Sequence, residues 1–163
     1  MARLLALDVG TVRIGVAVSD ATGFLASPYT TLQVSRDKTQ IWTAIQQLIE
    51  ETEAEGLVIG LPISLDGQIH AQARLIQSFA ERLKSYVNLP IIFWDERLST
   101  VEAERLVSQR DQVTGGKRSI SQARQRSRSK RRHKGQHIDA LAAAVILQDY
   151  LDHLSSKTGE TNI

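Results

Sequence analysis

Short apolar runs of strand length alternate along this chain with segments whose apolar residues recur at helical spacing. Continuous or alternating apolar residues over about 4 to 8 positions predict strands, whereas recurrence at intervals of three and four residues predicts helices. Alternation of the two kinds of segment is typical of an α/β domain in which helices cover a sheet. The sequence therefore predicts an α/β fold, and its 163 residues suit a single domain.

Five segments have the apolar pattern of strands: Arg3–Val9, Val12–Ser19, Leu25–Val34, Gly56–Leu61 and Pro90–Trp94. The tight Gly10-Thr11 turn between the first two predicts an antiparallel hairpin. Pro28 predicts an edge position for the third, because proline cannot donate to a sheet ladder.

Helices are predicted in four places: from the N-cap Asp37 to about Thr52, from about Gln68 to Tyr86, from the capping box at Ser99 to about Gln109, and from about Ile138 to Leu154. On the second helix, Ile69, Leu75, Ile76, Phe79 and Leu83 are predicted to be buried. The domain is expected to span residues 1–154, with a flexible loop at 112–136 and a frayed tail at 155–163.

The net charge of +2 conceals a strong separation of charge along the sequence. Nine basic residues and no acidic residue lie between positions 117 and 134, which leaves 11 basic and 18 acidic residues elsewhere. The basic residues are Lys117, Arg118, Arg124, Arg126, Arg128, Lys130, Arg131, Arg132 and Lys134. A basic segment on an acidic body indicates a polyanionic partner such as nucleic acid, although such a run can also be a solvated segment without function.

Acidic residues stand where three predicted buried elements begin or end. Asp8 closes the first strand, Asp95-Glu96 closes the strand that ends at Trp94, and Asp139 opens the last helix. Sites in α/β sheets form outside the carboxyl ends of the strands. Alone, each acid has an ordinary structural explanation, such as a turn, a loop ion pair or a helix N-terminus. Together they would repel one another unless a cation lay among them.

Clustered carboxylates favour Mg²⁺ or Mn²⁺, because these hard cations prefer oxygen ligands. Two such ions can activate a water and stabilise the leaving oxygen of a phosphodiester. The basic segment would then hold the backbone of the substrate. Periodicity does not decide between Asp95 and Glu96 as the ligand.

Four motifs occur in an order and spacing that resemble the YqgF/RuvX family. They are DVGTVRIG from Asp8 to Gly15, GLPISLDG from Gly60 to Gly67, WDERLST from Trp94 to Thr100, and the run from Lys134 to Ala143 that contains Asp139. DVGT alone is shared with actin-like ATPases and sugar kinases, whereas the four motifs together are specific. The resemblance covers about residues 3–153.

The resemblance implies an RNase H-like fold with a five-stranded mixed sheet flanked by helices. It implies a metal-dependent nuclease, either one that processes the 5′ end of pre-16S rRNA or a Holliday junction resolvase. It places the metal-binding and catalytic carboxylates at Asp8, Glu96 and Asp139. Where family members often carry lysine after Gly-Thr, this chain has Val12, and Arg13 follows it.

Further residues are expected to contact nucleic acid: Thr11, Arg13, Arg97 and the nine basic residues between positions 117 and 134. Turn formation by Thr11 and a surface ion pair by Arg97 are the structural alternatives. His137 lies close to Asp139 in sequence, but an exposed loop histidine is the simpler interpretation. Trp42 and Trp94 belong to apolar runs and are predicted to pack in the core.

Three functions remain open at the level of sequence. The leading hypothesis is a hydrolase that cleaves ester bonds in precursor rRNA, with ribosomal precursor particles as partners. The second is a resolvase of four-way DNA junctions, which requires a homodimer, whereas an RNA nuclease can act as a monomer. The third is an RNA-binding ribosome-assembly factor without catalysis. An actin-like ATPase is excluded, because its duplicated domains need a longer chain.

The composition also bears on location. The chain has no cysteine, and its longest apolar run is eight residues, far below the roughly 20 that span a bilayer. No signal peptide is evident at the N-terminus. A cytoplasmic protein without membrane contact is expected.

Overall fold

A computed structural model describes residues 2–62, 70–95 and 126–159 of the chain, with the backbone alone for residues 126–136. Five strands form one sheet: β1 (Leu4–Val9), β2 (Arg13–Ser19), β3 (Ala26–Gln33), β4 (Gly56–Leu61) and β5 (Ile91–Asp95). The helices of this part of the chain are α1 (Thr39–Thr52), α2 (Ala71–Leu83) and a third, α3 (Arg126–Gly159). The α/β fold and its mixed five-stranded sheet are therefore confirmed.

The strands lie in the order β3-β2-β1-β4-β5. β1, β2 and β3 pair antiparallel, whereas β1, β4 and β5 are parallel. β3 is at an edge, as Pro28 predicts, and the β2–β3 register shifts next to that proline. The carboxyl ends of β1, β4 and β5 consequently lie at the same edge of the sheet, where the sequence places its strand-end carboxylates.

The two faces of the sheet carry separate apolar clusters, because successive side chains of a strand point to opposite faces. One cluster joins Leu5, Leu7 and Ile59 to residues of α1 and α2, with Trp42 and Ile45 fully covered. The other joins Leu4, Ala6, Ala17 and Val58 to α3, whose small residues at this contact include Ala143 and Ala144. We refer to these sides as the α1/α2 face and the α3 face.

Two details of the predicted helices differ from the structure. Leu75, predicted to be buried, is 62% exposed on α2, although Ile76, Ala80 and Leu83 of the same helix are buried. Asp37, predicted to be the N-cap of the first helix, lies one residue before the observed N-cap Lys38, and its Oδ1 accepts a hydrogen bond from the backbone N–H of Thr39 at 3.1 Å. The predicted helix from Ser99 to Gln109 lies outside the described residues.

The last helix is much longer than predicted, since α3 begins at Arg126 and ends at Gly159. Residues 126–136 of the expected loop and 155–159 of the expected tail are thus helical. The prediction gave weight to the lack of large apolar residues there. Arginine, lysine and glutamine are nevertheless good helix formers, and the segment contains no proline. The remainder of the expected loop, residues 112–125, lies outside the described residues.

Within the described part of the chain, no helix is both long enough and apolar enough to cross a membrane.

Candidate nucleic-acid-cleaving site

Asp8 lies on the α3 face, next to the last residue of β1. Ala6 precedes it by two positions and packs against α3, so the strand alternation directs Asp8 to the same side. In the antiparallel register of the hairpin, Asp8 pairs with Gly15 of β2. A segment that packs over Gly15 on this face therefore also lies beside Asp8.

The backbone of α3 at Asp139 lies directly over Gly15. A Cβ atom on Gly15 would stand 1.9 Å from the carbonyl oxygen of Asp139 and 3.0 Å from the backbone nitrogen of Ala140. Only glycine permits so close an approach of helix and strand. Because Gly15 is paired with Asp8, this contact brings Asp139 beside Asp8, although 131 positions separate the two in the sequence.

The surroundings of Asp8 disfavour its charged form. Burial, and secondarily the negative charge of Asp139, raise the pKa of the Asp8 carboxyl from 3.8 to about 6. A shift with these two causes is typical of a carboxylate held close to another in a partly desolvated place. A divalent cation between the two carboxylates would remove the repulsion.

Asp139 is also held by a cation from β2. The Nε atom of Arg13 donates a hydrogen bond to Oδ2 of Asp139 at 2.5 Å, and the two side chains are 38% and 25% exposed. Arg13 lies two positions from Gly15 and therefore shares the α3 face. Asp8, Asp139 and Arg13 form one cluster, which we call the carboxylate cluster.

The carboxylate cluster suits a hard divalent cation but is not a complete site by itself. Carboxylate oxygens are the ligands that Mg²⁺ and Mn²⁺ prefer. Among the described residues, no group of three or more histidine, cysteine or acidic side chains could hold a metal ion. The third acid predicted from sequence, Glu96, lies outside the described residues. The two carboxylates fit the metal as part of a ligand set.

The end of β5 is described up to Asp95, and Trp94 shows which face the strand presents. Its ring lies 5.4 Å from the ring of Tyr150 and 5.1 Å from that of His153, both on α3. Trp94 therefore shares the face of Asp8, and Asp95 points to the other face. Trp94 packs against the α3 cluster and Trp42 is buried, as predicted for both.

Thr11 lies on a different side of the sheet edge from the carboxylate cluster. It is exposed in the turn between β1 and β2, and it lines a groove of about 370 Å³ on the α1/α2 face. Trp42 and Phe79 form part of the apolar lining of this groove. Of the two residues Thr11 and Arg13, both predicted to contact nucleic acid, Thr11 thus borders the α1/α2 face, whereas Arg13 lies on the α3 face.

The other predicted contacts fall into two groups. Arg97, Lys117, Arg118 and Arg124 lie outside the described residues. Six more belong to the first turns of α3, where the backbone alone is described: Arg126, Arg128, Lys130, Arg131, Arg132 and Lys134. His137 is exposed, as its simpler interpretation predicted, but it lies within α3 and not in a loop.

Two features of the site escaped the sequence analysis. The first is the close approach of α3 at Gly15, for which a glycine inside an apolar strand was an available signal. The second is the Arg13–Asp139 ion pair, for which no local signal exists, because its partners are 126 residues apart.

Comparison with known proteins bears on the identity of this fold and site. A protein of Thermoanaerobacter pseudethanolicus is 39% identical over 155 residues, covering 95% of this chain and 99% of its own. A protein of Roseiflexus sp. is 41% identical over 150 residues, covering 92% and 94%. Both carry the name "Putative pre-16S rRNA nuclease".

The fold is similar to that of RuvC from T. thermophilus, solved in complex with Holliday junction substrate. The TM-score is 0.52 at 11% identity, with 93% of this chain and 94% of RuvC covered. This similarity confirms the RNase H-like fold. Residues 2–153 match the family RuvX, described as "Holliday junction resolvase". The chain belongs to the RuvX family.

Proposed function

We propose that this protein is a divalent-metal-dependent nuclease that hydrolyses phosphodiester bonds in the 5′ precursor segment of 16S rRNA. The convergence of Asp8 and Asp139 at the carboxyl ends of three parallel strands carries the proposal. The names of the relatives that are 39% and 41% identical support the choice of precursor rRNA.

Asp8, Asp139 and Glu96 are the proposed metal ligands. Glu96 is preferred to Asp95 because the family resemblance favours it, and because Asp95 follows Trp94 in β5 and so lies on the opposite face of the sheet from Asp8. The ion would stabilise the charge of Asp8, which burial and the negative charge of Asp139 destabilise. Mg²⁺ or Mn²⁺, as a pair of ions in the full site, would supply an activated water and neutralise charge on the scissile phosphate.

The basic turns of α3 are the proposed contact for the substrate backbone. Because α3 is continuous from Arg126 to Asp139, its cationic turns extend along the helix axis for about 20 Å from the carboxylate cluster. A nucleic acid whose scissile phosphate lies at the carboxylates would follow this helix, with its phosphates next to arginine and lysine.

Cleavage of a precursor rRNA fragment in Mg²⁺ or Mn²⁺ tests the proposal. We expect Asp8→Asn, Glu96→Gln and Asp139→Asn each to lower the cleavage rate at least about a hundredfold, since even indirect partners of metal ligands contribute about 10–100-fold. Glu81→Gln, which alters an exposed carboxylate on α2, is the matched control and should cleave at the wild-type rate. Wild-type rates in all three site variants would refute the assignment.

The description of the RuvX family favours a second candidate, a resolvase of four-way DNA junctions. The same enzyme preparation should therefore be offered a junction in parallel with the rRNA fragment. Symmetric cleavage of the junction by a homodimer, together with no cleavage of the RNA, would support the resolvase. Binding of RNA without cleavage of either substrate, and without uptake of Mn²⁺, would support a non-catalytic assembly factor.

A further inference from the structure

Arg13 forms an ion pair with Asp139, a carboxylate that the proposed function assigns to a metal ion. Its Nε atom is 2.5 Å from Oδ2 of Asp139, on the same face as Asp8. The Arg13 side chain is 38% exposed, so part of it is accessible to solvent. The described part of the site therefore contains two carboxylates, Asp8 and Asp139, and one cation, Arg13.

A divalent ion bound by Oδ2 of Asp139 would compete with the Arg13 guanidinium, which donates a hydrogen bond to the same oxygen. A carboxylate that donates its electron pairs to a metal accepts hydrogen bonds less readily, and two cations in contact with one carboxylate repel each other. The Arg13–Asp139 pair is partly exposed to water, which weakens the attraction between the two charges and lowers the cost of separating them. The planar guanidinium then has N–H donors arranged to bind a phosphate.

We infer that Arg13 is a counterion of Asp139 that the divalent ion displaces, and that the released guanidinium binds a phosphate of the nucleic acid. The inference rests on the proposed function and adds a coupling between the two ligands. Arg13 stands at the first position of β2, next to the exposed turn residues Thr11 and Val12, where a nucleic-acid backbone can reach it. Metal binding thus strengthens nucleic-acid binding through one side chain.

Calorimetric titration with Mn²⁺ alone tests whether the divalent ion displaces Arg13 from Asp139. We expect Arg13→Gln to bind Mn²⁺ about two- to fivefold more tightly than the wild type, because the competing cation is gone. Arg13→Lys keeps the charge and should remain close to the wild type. Arg74→Gln, which removes an exposed cation from α2 on the other face, is the matched control and should leave Mn²⁺ affinity unchanged.

Measurement of RNA binding with and without a divalent ion tests whether the released guanidinium binds a phosphate. Ca²⁺ is used to limit cleavage. In EDTA, Arg13→Gln should bind RNA as the wild type does, because Arg13 is engaged with Asp139. In Ca²⁺, the variant should bind RNA about three- to tenfold more weakly than the wild type. The slope of log K against log salt should become flatter by about 1. A purely structural role would weaken Mn²⁺ and RNA binding together, in EDTA as well as in Ca²⁺.

The outcomes separate the inference from the proposed function. Loss of Mn²⁺ binding in Asp139→Asn, with unchanged or weaker Mn²⁺ binding in Arg13→Gln, would refute the displacement of Arg13 and leave the nuclease site intact. Absence of Mn²⁺ binding in the wild type would refute both. Thermal unfolding of each variant confirms that it is folded, and Arg13→Met, which also removes the charge, serves in place of Arg13→Gln if the latter is not.

Discussion

Asp8 is the residue whose environment most clearly departs from that of an ordinary surface carboxylate. It lies inside an apolar strand, partly buried, and beside a second carboxylate. Both circumstances disfavour its ionised form, so that the folded protein carries an energetic cost at neutral pH. A cost of this kind at the carboxyl end of a strand is expected of a ligand position, because a bound cation makes the ionised carboxylate favourable there.

The pH dependence of stability measures this cost. Since the pKa of Asp8 is about 6 in the folded protein and near its ordinary value in the unfolded chain, the unfolded chain loses this proton first as the pH rises. Stability from this group is therefore complete below about pH 4 and falls by about 3 kcal/mol as the pH passes through 6. Asp8→Asn should remove this decline and be the more stable protein at pH 7. Urea unfolding in EDTA at several pH values gives the comparison.

Asp37 serves as a control, because the pKa of its carboxyl is shifted in the opposite direction from that of Asp8. Hydrogen bonds from the side chain and backbone of Thr39 lower the pKa of its carboxyl. Its contribution to stability is therefore present above its ordinary pKa and is lost as the pH falls. Asp37→Asn should give no stabilisation at pH 7. An Asp8→Asn protein whose stability follows the wild type across the whole pH range would contradict the desolvation of Asp8.

At the scale of elements, the site depends on the contact between α3 and the β1–β2 hairpin. The hairpin supplies Asp8, Arg13 and Gly15, and the helix supplies Asp139. Apolar residues of α3, including Ile146 and Leu147, fix the helix on the sheet further along. The missing side chain of Gly15 then lets the helix lie close enough for Asp139 to reach the hairpin.

Gly15→Ala should therefore both destabilise the fold and weaken the site. The new Cβ meets backbone atoms, which cannot rotate away as a flexible side chain does. We expect a loss of at least about 3 kcal/mol, at the upper end of the cost of overpacking. Urea unfolding measures the loss, and Mn²⁺ affinity should fall with it because Asp139 moves from Asp8.

Gly159→Ala is the matched control for this change. No atom lies within 4 Å of a Cβ built at that position, at the end of the same helix. Its stability should stay within about 0.5 kcal/mol of the wild type. Equal effects of the two substitutions would show that close packing at Gly15 is not the cause.

At the scale of the whole molecule, charge is distributed along α3 rather than evenly over the surface. The helix begins in the cationic segment and passes the carboxylate cluster at Asp139. The rest of the chain has more acidic than basic residues, which repels nucleic acid from other surfaces. The net charge of +2 therefore understates the affinity for a polyanion that the cationic turns can provide.

Replacement of the nine basic residues between positions 117 and 134 by glutamine tests this distribution. Glutamine retains helix propensity while removing charge. If four of the nine contact phosphates, the slope of log K against log salt for RNA binding should become flatter by about 3–4. As a control, glutamine in place of four exposed cations around α1 and α2 should change the slope by less than about 1; these are Arg36, Lys38, Arg74 and Arg82. An unchanged slope in the first variant would leave the basic segment without a role in binding.

Local patterns were sufficient for the strands, the edge position of β3 and the carboxylates at the strand ends. Each depends on residues close in sequence: an apolar run, Pro28, or an acid at the end of a strand. The order of four motifs was likewise sufficient for the RuvX family, which the match over residues 2–153 confirms. The roles of Asp8, Glu96 and Asp139 as ligands stay a prediction.

Helix propensity and packing between distant segments decided the rest. Helix α3 starts twelve residues before the predicted Ile138 because the propensity of its charged residues outweighs their lack of apolar surface. The pairing of Arg13 with Asp139 and the position of Asp139 over Gly15 join segments more than 120 residues apart. Side-chain periodicity assigns a residue to a face of its own element, whereas only the docking of one element on another determines which residues of the two faces meet.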